Sequence, residues 1–299
     1  MPASDSVYRM LFSTHSIVTK CLSVGSKRLS TTAPVYTQPL RGKNVFITGA
    51  SSGIGRACAT KFAEAGSNII ISARRAGRLE ALRSQIKKDH SECLVHAQTL
   101  DVTDRSSVNN FVRSIPDELR NIDVLVCNAG LVLGLDPLLD VKPEHMDTML
   151  DTNVKGLVYC IQAMLPQMIE KGGHIVNLGS IAGNESDRNM PGYELLHMST
   201  RTSQDHYMHP TRLDTNKEYV CLCTLVSTGM VETEFSKVRF HGDEVAAKSV
   251  YKGITPLTAE DIADLIVFAT SRPSHVEIAD MVVFPHGQAT ATLSHRKST

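Results

Sequence analysis

An eight-residue run, Thr48-Gly49-Ala50-Ser51-Ser52-Gly53-Ile54-Gly55, leaves this 299-residue chain few folds to choose from. Glycines let backbone N–H groups come close to an anion, and the N-terminus of a following helix adds partial positive charge there. Position carries the signal, because glycine loops also serve turn geometry alone. Here Asn44–Thr48 reads as a short apolar strand, Gly53–Ala65 has helical spacing, and Asn68–Ala73 is a second strand with three successive isoleucines. A glycine loop at the first crossing of such a βαβ unit is the arrangement that cradles a dinucleotide pyrophosphate.

The alternation continues along the chain. Leu94–Leu100, Ile122–Cys127 and Gly173–Leu178 are apolar runs, separated by the helical stretches Arg78–Lys88, Arg105–Leu119 and Pro143–Glu170. Strands that are apolar throughout are covered by helices on both faces, which is the mark of a parallel sheet. Val220–Val226 reads as a sixth strand, Thr258–Thr270 as a helix opened by a Thr-x-x-Asp capping box, and Met281–Pro285 as a last strand. The expected fold is α/β: a single-domain Rossmann-type doubly wound parallel sheet of about seven strands with helices on both faces, over residues 41–290, followed by a tail at 291–299. A composition 42% hydrophobic and 21% charged suits one core of that size.

Residues 1–40 stand apart, with Arg9, Lys20, Lys27 and Arg28 among many Ser and Thr and Asp5 as the one acid. They resemble a mitochondrial presequence; a disordered tail or a wrongly chosen upstream start codon fits as well. The compartment is accordingly cytoplasmic, or the mitochondrial matrix if a presequence is present. A formal net charge of zero argues against nucleic acid or a membrane surface as partner and for a small molecule. No apolar stretch approaches the roughly 18 residues that span a bilayer. Seven scattered cysteines without a Cys-x-x-Cys pair argue against a disulfide framework. His206-x-x-His209 and Cys221-x-Cys223 are too loosely spaced to lead to a metal site, and none is expected. His174 and Cys127 read as core.

The second strand ends in Ser72-Ala73-Arg74-Arg75, where an acid would accept a ribose 2′-hydroxyl. Guanidinium groups there suit a 2′-phosphate, so the cofactor is expected to be NADP(H); the bland alternative is two arginines solvating a helix start. Asp101-Val102 follows the third strand and Asn128-Ala129-Gly130 the fourth, at the carboxyl ends where ligands of open α/β sheets lie. Gly49, Ser51, Ser52, Gly53, Ile54, Gly55, Arg74, Arg75, Asp101, Asn128, Ala129 and Gly130 are the candidate cofactor-binding residues.

Together, Thr48–Gly55, Asp101, Asn128-Ala129-Gly130, Asn153 in Asp151-Thr152-Asn153-Val154, Ser180 and Tyr193 resemble the short-chain dehydrogenase/reductase superfamily over roughly residues 40–290. Met230–Phe235 and Pro256–Ala263 resemble its branch of NADP-dependent 3-hydroxy-acid dehydrogenases, which includes serine and allo-threonine dehydrogenases. The resemblance implies hydride transfer between a secondary alcohol and a carbonyl. It makes Tyr193 the general acid/base, has Ser180 hydrogen-bond the substrate oxygen from thirteen residues upstream, and gives Asn153 a supporting role through a bound water. It also adds Tyr193, Val231 and Thr233 to the cofactor contacts.

Position 197, where the superfamily carries a lysine that lowers the tyrosine pKa, is His197. Imidazole is shorter than lysine and largely neutral near pH 7, so catalysis should suffer. Residues 198–217 then lack helical periodicity and contain Pro210, where a long helix for the site and for subunit pairing is implied. Three explanations stand: a bounded frame or splicing error, divergence to a catalytically impaired NADP-binding pseudoenzyme or interaction protein, and an active enzyme that uses His197. A homo-oligomer, usual for the superfamily, is a weaker expectation with that helix disrupted.

Overall fold

The computed structural model describes residues 39–136, 139–183 and 221–297. Seven strands form one sheet: β1 (Asn44–Thr48), β2 (Asn68–Ala73), β3 (Val95–Thr99), β4 (Val124–Cys127), β5 (His174–Ser180), β6 (Leu222–Thr228) and β7 (Asp280–Val283). They are parallel throughout, in the order β3-β2-β1-β4-β5-β6-β7. The chain starts at the centre, runs outward to β3, then returns to lay β4 against the free side of β1. That reversal opens a crevice at the carboxyl ends of β1 and β4.

Helices cover both faces, as the unbroken apolar strands require. Side chains alternate across a strand, so Val45, Ile47, Ile69 and Ile71 turn to one face, where they pack with Phe62 of α1 (Gly53–Glu64), Ile86 of α2 (Ala76–Asp89) and Ile262 and Ile266 from a late helix. Phe46, Ile70, Leu125 and Ile175 turn to the other, against Phe111 of α3 (Arg105–Ser114) and a long helix carrying Met164 and Met168. Phe46 and Phe111 stack with ring centroids 4.9 Å apart.

Two expected helices differ in detail. Arg105–Leu119 stops at Ser114, because Pro116 cannot donate to the helical ladder; a 3-10 turn, Asp117–Leu119, follows. The stretch read as one helix over Pro143–Glu170 is α4 (Pro143–Leu150), a π turn over Asp151–Gly156, and α5 (Leu157–Lys171). Such π bulges insert one residue into a helix and re-aim its side chains, often at a functional site; this one holds Asn153. Beyond β6 lie two helices too short for periodicity to reveal, α6 (Phe235–Arg239) and α7 (Glu244–Ser249), and then α8 (Ala259–Thr270). The Thr258 capping box of α8 forms as read: its hydroxyl accepts from Asp261 N–H at 3.1 Å, and the Asp261 carboxylate accepts from Thr258 N–H at 2.8 Å.

His174 and Cys127 are buried, and burial pushes the His174 imidazole down to about 4. Cys221 and Cys223 are also buried in the core and, like the other described cysteines, are not disulfide-bonded; His206 and His209 lie outside the described residues. No helix among the described residues is long and apolar enough to cross a membrane.

Candidate active site

The carboxyl ends of β1, β2, β4, β5 and β6 enclose a cavity of about 800 Å³, lined by residues from Gly49 to Arg296, a volume in the range of small-molecule sites. Its floor is the glycine loop. Gly49 has φ +67°, a left-handed conformation; a Cβ there would stand 2.9 Å from Ala129 Cα, and one on Gly55 would stand 2.4 Å from Asn128 Nδ2 and 2.8 Å from the Gly49 carbonyl. These glycines allow the β1 and β4 loops to touch. Asn128 ties the two together, donating from Nδ2 to the carbonyls of Thr48 (2.9 Å) and Gly49 (3.2 Å), while Thr48 Oγ1 accepts from the N–H groups of Asn128 and Ala129.

The start of α1 opens on this cavity through Gly53 and Ile54. Its N-cap, Ser52, makes no side-chain cap, and no acid stands in its first turn. An α-helix start has four N–H groups without intrahelical partners, so this one is suited to an anion. Ser72 Oγ, at the end of β2 on the cavity wall, is buried with no hydrogen-bond partner. A buried hydroxyl of that kind implies a partner still to come. Both observations fit a pyrophosphate-linked nucleoside.

Arg75 reaches from the end of β2 to the loop. Its Nε and NH2 donate to Ser51 Oγ at 3.0 and 2.8 Å, NH2 donates to Ser52 Oγ at 2.7 Å, and NH1 donates to Glu234 Oε2 at 2.9 Å. Arg74 lines the cavity beside it. Asp101 uses Oδ1 to accept from the N–H and hydroxyl of Thr103, at 3.0 and 2.8 Å. Thr233 packs against Gly53, with its Cβ 3.2 Å from where a glycine Cβ would be, and Val231 bridges to Leu257.

Ser180 ends β5 on the cavity wall, its Oγ accepting from Ala182 N–H at 3.1 Å. Asn153 grips the loop after β4 with both ends of its amide: Oδ1 accepts from Leu131 N–H at 2.9 Å, and Nδ2 donates to the Leu131 carbonyl at 2.8 Å. Tyr193 and His197 lie outside the described residues. The remaining sequence-predicted residues that are described line this cavity, except Gly55, which serves at the contact between the β1 and β4 loops.

Several cavity residues were not read from the sequence. Arg239 comes from α6, Tyr251 from the turn after α7, and Gln288 and Arg296 from beyond β7. Gln288 Oε1 accepts from Met230 N–H at 2.8 Å, and the Tyr251 hydroxyl donates to the Val231 carbonyl at 2.9 Å. These residues sit on a one-turn helix or on irregular backbone and carry no local motif. Residues read as a tail fold back here: His295 N–H donates to the Gly287 carbonyl, and Lys297 N–H to that of Gly253.

Comparison with known proteins agrees with this geometry. The family model described as short chain dehydrogenase matches residues 43–244. An NADP-dependent 3-hydroxy acid dehydrogenase of Schizosaccharomyces pombe is 41% identical over 260 residues, 86% of this chain and 98% of the relative. Sulfoacetaldehyde reductase 2 of Chromohalobacter salexigens is 40% identical over 247 residues, 82% of this chain and 95% of the relative. Among solved structures, the closed form of a serine dehydrogenase complexed with NADP+ superposes with a TM-score of 0.76 at 34% identity, covering 85% of this chain and 99% of that one.

Proposed function

Because this chain belongs to the short chain dehydrogenase family, we propose that it is an NADP(H)-dependent oxidoreductase that interconverts a small 3-hydroxy acid and the corresponding 3-oxo acid. One observation carries the substrate class: the cavity has arginines from two separate regions of the chain. Arg74 and Arg75 follow β2, on the side of the glycine loop, whereas Arg239 and Arg296 come from the segments beyond β6 and β7. Guanidinium groups recognise phosphates and carboxylates alike. The first pair suits the cofactor 2′-phosphate, and the second suits the acid group of a substrate. The named substrates of the two relatives, a 3-hydroxy acid and sulfoacetaldehyde, both carry an anion.

NADP(H), when bound, supplies or accepts the hydride. The glycine loop and the N-terminus of α1 would hold its pyrophosphate, Ser51, Arg74 and Arg75 would serve its 2′-phosphate, and Asp101 would serve the adenine. Ser180 Oγ already accepts from Ala182 N–H, which leaves its O–H to donate to the substrate oxygen. Asn153, by clamping Leu131, fixes the loop after β4 along the cavity. Tyr193 gives or takes the proton at the reacting oxygen. A free phenol titrates at about 10, so it needs a neighbouring cation to work near neutrality, and His197 stands four residues on in the sequence, where the family has lysine.

The test is NADPH oxidation by the full chain with 3-oxo acids beside neutral ketones. Turnover that favours the acids, disappears in Tyr193→Phe and rises in His197→Lys is the expected result. NADPH binding without turnover, in both the unsubstituted chain and His197→Lys, would instead make this a cofactor-binding protein.

A further inference from the structure

We propose that Glu234 is a positioning residue for the 2′-phosphate site, holding the Arg75 fork from behind and tying cofactor recognition to the segment that bounds the substrate end of the cavity. The inference rests on the cofactor reading above. Arg75 lies on an exposed turn, and a long side chain in such a place has many rotamers to lose on binding. Here its orientation is set from two sides. The Nε–NH2 edge faces the glycine loop, with both nitrogens donating to Ser51 Oγ and NH2 also to Ser52 Oγ. NH1 points away and is held by Glu234 at 2.9 Å. A two-N–H edge is how a guanidinium grips a phosphate; Glu234 takes NH1 alone, so on that edge a phosphate meets only the serine hydroxyls of the glycine loop, which it can join or replace.

A carboxylate beside an anion site would normally oppose it. Arg78 answers that objection: its NH1 lies 2.7 and 2.6 Å from the two Glu234 oxygens. The trio of Arg75, Arg78 and Glu234 thus carries net positive charge toward the cavity, with Glu234 neutralised on its far side. Arg78, then Arg75, hold the Glu234 carboxyl down to about 2, so it stays ionised throughout the working range. No local spacing pairs Arg78 with Glu234, since 156 residues separate them.

The same carboxylate belongs to the segment after β6. Thr233, one residue before, packs on Gly53; Phe235, one residue after, begins α6, whose last residue is the cavity arginine Arg239. Fixing Arg75 on a 2′-phosphate therefore also fixes Glu234 and the start of α6. A cofactor without that phosphate lacks this anchor.

The experiment is fluorescence titration of the full chain with NADPH and with NADH, for the unsubstituted protein, Glu234→Ala, Glu234→Asp and Arg78→Met. The expected result is a loss of NADPH affinity of about tenfold in Glu234→Ala, the scale of one charge-assisted hydrogen bond, with NADH affinity unchanged. Glu234→Asp restores part of the loss, and Arg78→Met weakens NADPH binding in the same direction. The KM for the oxo acid rises in Glu234→Ala when NADPH is the reductant and not when NADH is. Equal changes for the two cofactors, or tighter NADPH binding in Glu234→Ala, overturn the proposal; tighter binding would mean that Glu234 competes with the phosphate. An unsubstituted chain that binds NADPH no better than NADH fails the cofactor reading itself, which is a different result.

Discussion

The two halves of the sheet are built from different materials. In β1 and β2 the buried positions are hydrocarbon, Val45 to Ile47 against Ile69 to Ile71, and polar groups such as Thr48 and Ser72 occur only near the strand ends. In β5 and β6 polar side chains are buried along the strands: His174, Asn177, Thr224, Ser227 and Thr228. His174 Nε2 and Thr224 Oγ1 meet at 2.7 Å, and the Thr224 hydroxyl donates to the Ile278 carbonyl. Hydrocarbon burial is non-directional and tolerant, whereas a buried hydrogen bond must be kept in both partners. The first half is therefore a rigid platform for a loop that must be backbone-perfect, and the second is a specific junction that titration and substitution can loosen.

The sharpest break in the first half is Gly55→Val. Its Cβ would fall 2.4 Å from Asn128 Nδ2, the group that ties the two loops together. Overpacking here displaces the cradle, and NADPH affinity should fall by about a hundredfold, from a strain of roughly 3 kcal/mol. Gly77→Ala is the matched control, because a Cβ there meets nothing within 4 Å. It should leave binding unchanged and stabilise α2 slightly, by about 0.5 kcal/mol in a urea titration. Equal effects of the two substitutions would show that the glycines serve flexibility alone.

The second half breaks with pH. Burial lowers the His174 pKa to about 4 from an ordinary 6.5, so the folded protein keeps a neutral ring while the unfolded chain takes up a proton below pH 6.5. Stability contributed by this residue is thus whole above that pH and is lost as pH falls toward 4, by about 3 kcal/mol in all. Urea unfolding of the unsubstituted chain at pH 7.5 and 4.5, beside His174→Gln, measures it. The variant should lose much of the acid sensitivity of this half; an undiminished pH slope would assign it elsewhere.

The same contrast explains what could be read in advance. Isoleucine and valine runs and a glycine loop are local signals, so β1, α1 and β2, and the candidate residues from Gly49 to Arg75 that line the cavity, were legible from their own neighbours. The π turn at Asp151–Gly156 was not, since a one-residue insertion leaves helical periodicity almost intact. Arg239, Tyr251, Gln288 and Arg296 were invisible for another reason. They reach the cavity from short helices and irregular chain, through contacts such as Gln288 to Met230 that span 58 residues, and no spacing rule reports those.

Arg239→Met separates the two ends of the cavity by a smaller effect. If this arginine serves the acid group of the substrate, KM for a 3-oxo acid should rise by about tenfold, the loss of a charge-assisted contact. NADPH affinity should hold, as should turnover of a neutral ketone. A matching fall in NADPH affinity would place Arg239 on the cofactor instead.

The mildest test returns to the platform. α8 packs on the face shared with α1 through Ile262, Ala263 and Ile266, and its first turn is fixed by the reciprocal bonds of Thr258 and Asp261. Those bonds also favour the ionised form of Asp261, whose carboxyl they hold below its usual range. Thr258→Ala removes one side of the box and should cost about 1 kcal/mol, with Thr258→Ser nearly neutral because the hydroxyl is what caps. Since the cap acts on a helix terminus and not on the loop, NADPH affinity should not move. A coupled loss of binding would mean that the hydrocarbon face transmits strain from α8 through α1 to the pyrophosphate cradle, and that the platform is less rigid than its packing implies.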